Sequence, residues 1–132
     1  MALLLAFFPA FYRPAAAAGD PYVATVYNER NGLPTGEANV VYQTSDNYMW
    51  IGSYGGLVRY DGSTFRNYSQ EGLIPSASIR ALMEDNEGRL WVGTNDAGLF
   101  VYEEGGFRRV QETGVPVLLC IRDLVQSTDG TV

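Results

Sequence analysis

At 132 residues the chain has room for one domain at most, and 46% hydrophobic with only 18% charged residues suits a globular fold rather than a disordered one. The net charge is −6, all nine basic residues are arginine, and lysine and histidine are absent. That inventory excludes Ser-His and Cys-His nucleophile pairs, histidine metal sites, a lysine Schiff base and a phosphate-loop lysine, and an acidic surface argues against nucleic acid and anionic membrane as partners.

Residues 2–12 form an apolar run of eleven, followed by Arg13, Pro14 and the alanines Ala15 to Ala18. Spanning a bilayer takes ~20 residues. The short run with small residues after it predicts a secretory signal over 1–18, cleaved near Ala18, and hence export of residues 19–132. Residues 22–28 then read as a strand. From there strands are predicted over 39–44, 48–53, 57–60 and 64–68, and again over 79–84, 90–94, 99–102 and 107–111, alternating with turns at Ser45-Asp46-Asn47, Gly55-Gly56, Asp61-Gly62, Glu87-Gly88 and Gly105-Gly106. Asp61-Gly62 between β-formers is the strongest of these as a two-residue hairpin turn, in which both residues need positive φ. No helical period is sustained after residue 20. The lone cysteine, Cys120, lies in the apolar run 117–121 and reads as a small buried hydrophobe rather than a reactive thiol.

The strand pattern is a repeat. Met49-Trp50-Ile51-Gly52-Ser53 returns 41 residues later as Leu90-Trp91-Val92-Gly93-Thr94. Gly56-Leu57-Val58-Arg59-Tyr60 and Phe65 return 42 residues later as Gly98-Leu99-Phe100-Val101-Tyr102 and Phe107. Gly32-Leu33-Pro34, Gly72-Leu73-Ile74-Pro75 and Gly114-Val115-Pro116 mark the junctions, and Ile121-Arg122-Asp123-Leu124 with Asp129-Gly130 opens a third copy on the pattern of Ile79-Arg80-Ala81-Leu82 and Glu87-Gly88. Four strands per ~40–45 residues is the blade period of a β-propeller. The expected fold is all-β: four-stranded antiparallel blades over about 32–71 and 72–113, and a partial one over 114–132. Two and a half blades cannot close a ring, so unpaired blade faces are expected. The run 22–28 stands where 64–68 stands before the next junction, which predicts an outermost strand belonging to the final blade.

These motifs resemble the two-component-regulator propeller repeat, in which an Asp-x-x-Gly turn leads to hydrophobic-Trp-hydrophobic-Gly-Thr, then Gly-Leu, Tyr-Asp-Gly and Phe. The second copy matches at Asp85, Gly88, Leu90, Trp91, Gly93, Thr94, Gly98, Leu99, Tyr102 and Phe107; the first matches at Trp50, Gly52, Gly56, Leu57, Tyr60, Asp61, Gly62 and Phe65. The first departs at Asn47, in place of the turn glycine, and at Ser53, in place of the threonine. A WD-repeat propeller would show Gly-His and Trp-Asp dipeptides, and there is no histidine. The resemblance implies a non-catalytic sensing region outside the cytoplasm, membrane-anchored in a longer bacterial protein whose output is a histidine kinase or a diguanylate cyclase. It implies as partners a small molecule or glycan, the remaining blades and output domain of the same chain, and a second copy of the protein; no cofactor is implied. The alternative is an exported propeller that binds protein or glycan without signalling output.

Trp50, Trp91, Tyr60, Tyr102, Phe65 and Phe107 recur at fixed repeat positions, which favours packing between blades over a ligand cage. The acidic turns at Asp46-Asn47 and Asp85-Asn86-Glu87-Gly88 lack the alternating ligands and closing glutamate of a calcium loop, so turn chemistry is the reading. A carboxylate pair for glycoside hydrolysis is the one acid–base chemistry the composition leaves open, but these carboxylates recur at turns. Ligand contacts are instead expected on one rim, from the loops that join outer to next inner strand and second to third. There Glu37, Tyr54, Ser78, Asn95 and Asp96, with Thr35 and Ser76, vary while the framework repeats.

Overall fold

The computed structural model describes residues 24–111, 113–114, 116 and 119–132; the expected signal over 1–18 and the first residues of the run 22–28 lie outside them. Two four-stranded antiparallel sheets fill most of the described chain. In the first, β1 (Val40–Gln43), β2 (Met49–Ser53), β3 (Gly56–Tyr60) and β4 (Phe65–Asn67) pair in sequence order; the second repeats this with β5 (Ile79–Glu84), β6 (Leu90–Thr94), β7 (Leu99–Glu103) and β8 (Gly106–Val110). A short 3-10 turn, Glu29–Asn31, capped by the Asn28 side chain, precedes them. The all-β expectation holds, and the sheets are arranged as propeller blades without closure.

Side-chain alternation gives each sheet two different faces. In the first sheet the cross-strand row Tyr42–Trp50–Arg59 and the row Gly52–Leu57 share one face, and Tyr68 continues the latter through its N–H bond to Leu57 O at 2.9 Å. Leu82, Val92 and Phe100, with Leu90, Tyr102 and Phe107, make up the facing side of the second sheet. Between them lies one apolar core: Trp50, Leu57 and Tyr68 from one sheet meet Leu82, Leu90, Val92 and Phe100 from the other, with Ile74 and Ile79 at the junction. The ring centroids of Trp50 and Tyr102 lie 5.2 Å apart, and Tyr68 meets Tyr102 and Phe107 edge-on at 5.8 and 5.5 Å. Trp50, 2% exposed, is buried between the two sheets. Trp91 points to the opposite face of its own sheet and is half-buried.

Residues 119–126 lie along that face. Ile121 N–H bonds Thr94 O at 2.7 Å, Leu119 O accepts from Gly98 N–H, and Asn86 N–H bonds the Gln126 side chain at 3.0 Å, the contact that Ser45 N–H makes with Glu84 at 2.8 Å one blade earlier. Ser127 and Thr131 then close the same turn as Thr44 with Tyr48 and Asp85 with Arg89. The turn over 127–131 thus has the hydrogen bonding of the turns at 44–48 and 85–89.

Two expectations need correcting. Asp61-Gly62 is not a two-residue hairpin turn: Tyr60 pairs with Phe65, and only Gly62 has positive φ, 98°. The Asp61 carboxylate accepts from the N–H and hydroxyl groups of both Ser63 and Thr64, so side-chain capping organises a four-residue loop. Two consecutive residues of positive φ occur instead at Glu104 and Gly105, 53° and 83°, between β7 and β8. Cys120 is exposed, not buried; it alternates with Ile121, and it is the isoleucine that faces the second sheet. Residues 24–28 form no strand ladder with the described residues; the partners expected for them belong to the final blade, not to β1–β4. Even so, Tyr27 meets Tyr60 and Phe65 at 5.4 and 5.3 Å, as Tyr68 meets Tyr102 and Phe107, so it stands where an outer strand of a preceding blade would place its tyrosine.

Candidate functional site

The loops expected to carry ligand contacts do share one end of the sheets, and a chain of hydrogen bonds ties them together. Gly55 follows Tyr54 in the β2–β3 turn, so close to the first junction that a Cβ on it would come 2.7 Å from Pro34 and 2.8 Å from Thr35. Ser69 Oγ accepts from Leu57 N–H at 3.1 Å and donates to Ser76 O at 2.8 Å, which fastens the second junction to β3. Ser76 Oγ then donates to Asp96 Oδ1 at 2.6 Å and accepts from Ser78 N–H at 3.1 Å, while Asn95 N–H bonds Ser78 O at 3.0 Å.

Thus Ser78, Asn95 and Asp96 are brought into one cluster with Ser76, which is 4% exposed and acts as its hub. Asp96 itself is exposed, Asn95 is half-buried with Oδ1 3.5 Å from Cys120 Sγ, and Ser78 Oγ is buried without a hydrogen-bond partner. Tyr54, 52% exposed, joins the second sheet through Arg80, whose guanidinium carbon lies 4.8 Å from its ring centre. Glu37 stands apart. It is exposed beside Thr35, on a cavity of about 250 Å³ lined by Tyr27, Leu33, Pro34, Val41 and Ile51.

The framework beneath the rim repeats its own polar fastenings. Thr94 Oγ1 donates to Gly98 O at 2.8 Å and accepts from Ala97 N–H; Ser53 Oγ donates to Gly56 O at 3.2 Å and accepts from Gly55 N–H. The serine that departs from the repeat therefore performs the threonine's task. At the other end, Trp91 Nε1 donates to Asp85 Oδ2 at 2.7 Å and Trp50 Nε1 to Thr44 Oγ1 at 3.2 Å. Asp85 also accepts from the N–H groups of Glu87 and Arg89 and from Arg89 Nε. Burial alone would push its carboxyl up, but these donors, Trp91 foremost, bring it down to about 2. With every lone pair engaged, Asp85 is an organiser of its turn.

A family model described as two component regulator propeller matches residues 32–55 and 73–96. Both repeats match that family. Each matched stretch of the two-component-regulator propeller repeat runs from a junction through the inner and second strands to the rim loop, so the match and the rim coincide. This repeat is not a catalytic family. No curated protein matches the chain.

Two roles escaped sequence reasoning. Arg80 was visible only as part of the Ile79-Arg80 echo in Ile121-Arg122, where nothing marked it as a rim residue. The acceptors for the tryptophan N–H groups, Thr44 and Asp85, both stand six residues before their tryptophan. That spacing was available, but the two residue types differ.

Proposed function

We propose that this chain is a non-catalytic, ligand-sensing part of an exported bacterial signalling propeller, anchored to the membrane in a longer protein with a kinase or cyclase output. The observation that carries the reading is the rim cluster of Ser76, Ser78, Asn95 and Asp96, built from non-repeating side chains on the two-component-regulator repeats. A small molecule or glycan binds there, on Tyr54, Asn95, Asp96 and Ser78, with Glu37 on the neighbouring loop.

The blades beneath are packed too closely to deform, with aromatic contacts at each junction. The signal then passes as a rigid-body movement of the propeller against a second subunit or a membrane-proximal domain, and ligand biases it by binding one arrangement more tightly. The test is Tyr54→Ala and Asp96→Ala in the full-length protein, with ligand-dependent output as the readout. Loss of response with unchanged folding is the expected result; a full response in both variants would discard the rim. Further repeats, a membrane helix and an output module encoded beyond codon 132 would separate this reading from a binder without output.

A further inference from the structure

Most polar fastenings in this chain find partners, and most ion-paired arginines sit at sheet edges and turns. Arg66 holds Glu71 at 2.7 Å, Arg89 holds Asp85 at 2.7 Å and Glu87 at 3.0 Å, and Arg108 holds Glu103 at 3.0 Å. Arg80, at the start of the inner strand β5, holds no carboxylate among the described residues. Its Nε is shut off from solvent without a hydrogen-bond partner, and so is Ser78 Oγ two residues earlier.

A buried polar atom left unpaired forfeits its hydration without a replacement bond, so two of them together on one rim loop call for a reason. The backbone supplies a second peculiarity at the same place. Ile79 pairs with Thr94 and Ala81 with Gly93, which leaves Arg80 as an extra residue in a bulge. Bulges re-aim a side chain, here onto the exposed ring of Tyr54. A guanidinium held over an aromatic ring keeps N–H groups directed away from the ring for a planar or tetrahedral oxyanion. In the next inner segment Arg122 follows Ile121 as Arg80 follows Ile79; it is exposed and without a carboxylate among the described residues.

We infer that Arg80, steadied by Tyr54 and assisted by Ser78 Oγ, is an oxyanion-binding site, so that the rim ligand carries a carboxylate, sulfate or phosphate group. This rests on the rim reading above and narrows it to acidic ligands. The ligand's anionic oxygens take the outer edge of the guanidinium, and the serine hydroxyl, shut off from solvent in the free chain, donates a further bond once the rim loop opens to the ligand.

The test is a titration of the 15N-labelled chain at constant ionic strength with sodium glucuronate, inorganic sulfate, inorganic phosphate and, as a neutral comparison, glucose, following the arginine side-chain N–H resonances. A saturable shift at Arg80 with at least one anion and none with glucose is expected, and the anion that gives it names the group. Arg80→Gln should weaken that binding about tenfold or more, equivalent to about 1.4 kcal/mol, whereas Arg109→Gln on β8 should leave it unchanged. If Arg80→Gln does not fold, Ser78→Ala decides: it removes an unpaired hydroxyl, should fold at least as well, and should still weaken the anion severalfold. No saturable shift at Arg80, an equal effect of Arg109→Gln, or unchanged affinity in Ser78→Ala would overturn the assignment. Shifts of Tyr54 and Asn95 with glucose but not with anions would overturn it while leaving the rim reading standing; silence to every probe at the rim would count against both.

Discussion

Ile79 lies on the bare α-carbon of Gly52, so close that a Cβ on that glycine would stand 2.6 Å from Ile79 Cγ2 and 2.7 Å from Val40 Cγ1. Ile121 lies on Gly93 in the same way, with Cγ2 2.6 Å from where a Cβ would be. Neither glycine has the positive φ that favours glycine. What each supplies is room for the inner strand of the following blade. Gly52→Ala and Gly93→Ala should therefore each destabilise by about 1–3 kcal/mol through overpacking. In Gly93→Ala the segment 119–126 should lift away, seen as lost hydrogen-exchange protection of the Ile121 amide. An unchanged urea midpoint with Ile121 still protected would show that the packing is looser than described.

Asp85 links stability to acid. Its carboxyl lies at about 2 in the folded chain against an ordinary 3.8. The folded value is depressed, so the stabilisation is present in full above pH ~4 and is lost as pH falls through ~2, amounting to about 2 kcal/mol. Asp85→Asn should lower stability at neutral pH and flatten the fall between pH ~4 and ~2 in chemical denaturation. A parallel acid limb in parent and variant would remove Asp85 from that role.

The two tryptophans report opposite surroundings. With Trp91→Phe, the remaining Trp50, 2% exposed, should resist acrylamide quenching. With Trp50→Phe, the half-buried Trp91 should be quenched more readily, and the variant should lose stability because its ring fills the space between the sheets.

Turn chemistry at the β7–β8 hairpin is testable without touching the core. Glu104 sits at φ 53°, a conformation asparagine adopts more readily, so Glu104→Asn should raise stability by a few tenths of a kcal/mol. Gly105→Ala, at φ 83°, should lower it by about 1 kcal/mol. Thermal unfolding of both variants checks the pair, and equal midpoints would contradict the turn geometry.

Cys120 should react with a thiol reagent in the folded chain as fast as in urea, because it is exposed. Strong protection in buffer would restore the buried reading.

How much of this was readable in advance follows from which interactions are local. The eight strands stood out in the alternation around Trp50 and Trp91, because four-residue turns and period-two burial are written into neighbouring residues. The Asp61 loop was misread for a local reason too: Asp-Gly serves two turn designs, and the choice lay with the hydroxyls of Ser63 and Thr64, which cap the carboxylate. Cys120 was misread because an apolar run does not say which of its alternating residues faces the sheet.

The sequence by itself determined the blade period, the strand order and the residues that recur between blades, since a repeat can bury its apolar face only against its own neighbour. Tertiary structure alone decided which side of each blade carries the tryptophan and which receives it, why Gly52 and Gly93 must lack a side chain, and which rim residues meet. Ser76, Ser78, Asn95 and Asp96 come from two loops separated by a whole hairpin, and Arg80 reaches Tyr54 from a different sheet. Such contacts depend on how two pleated surfaces stack, and stacking is set by the summed packing of the core rather than by any residue's neighbours in the chain.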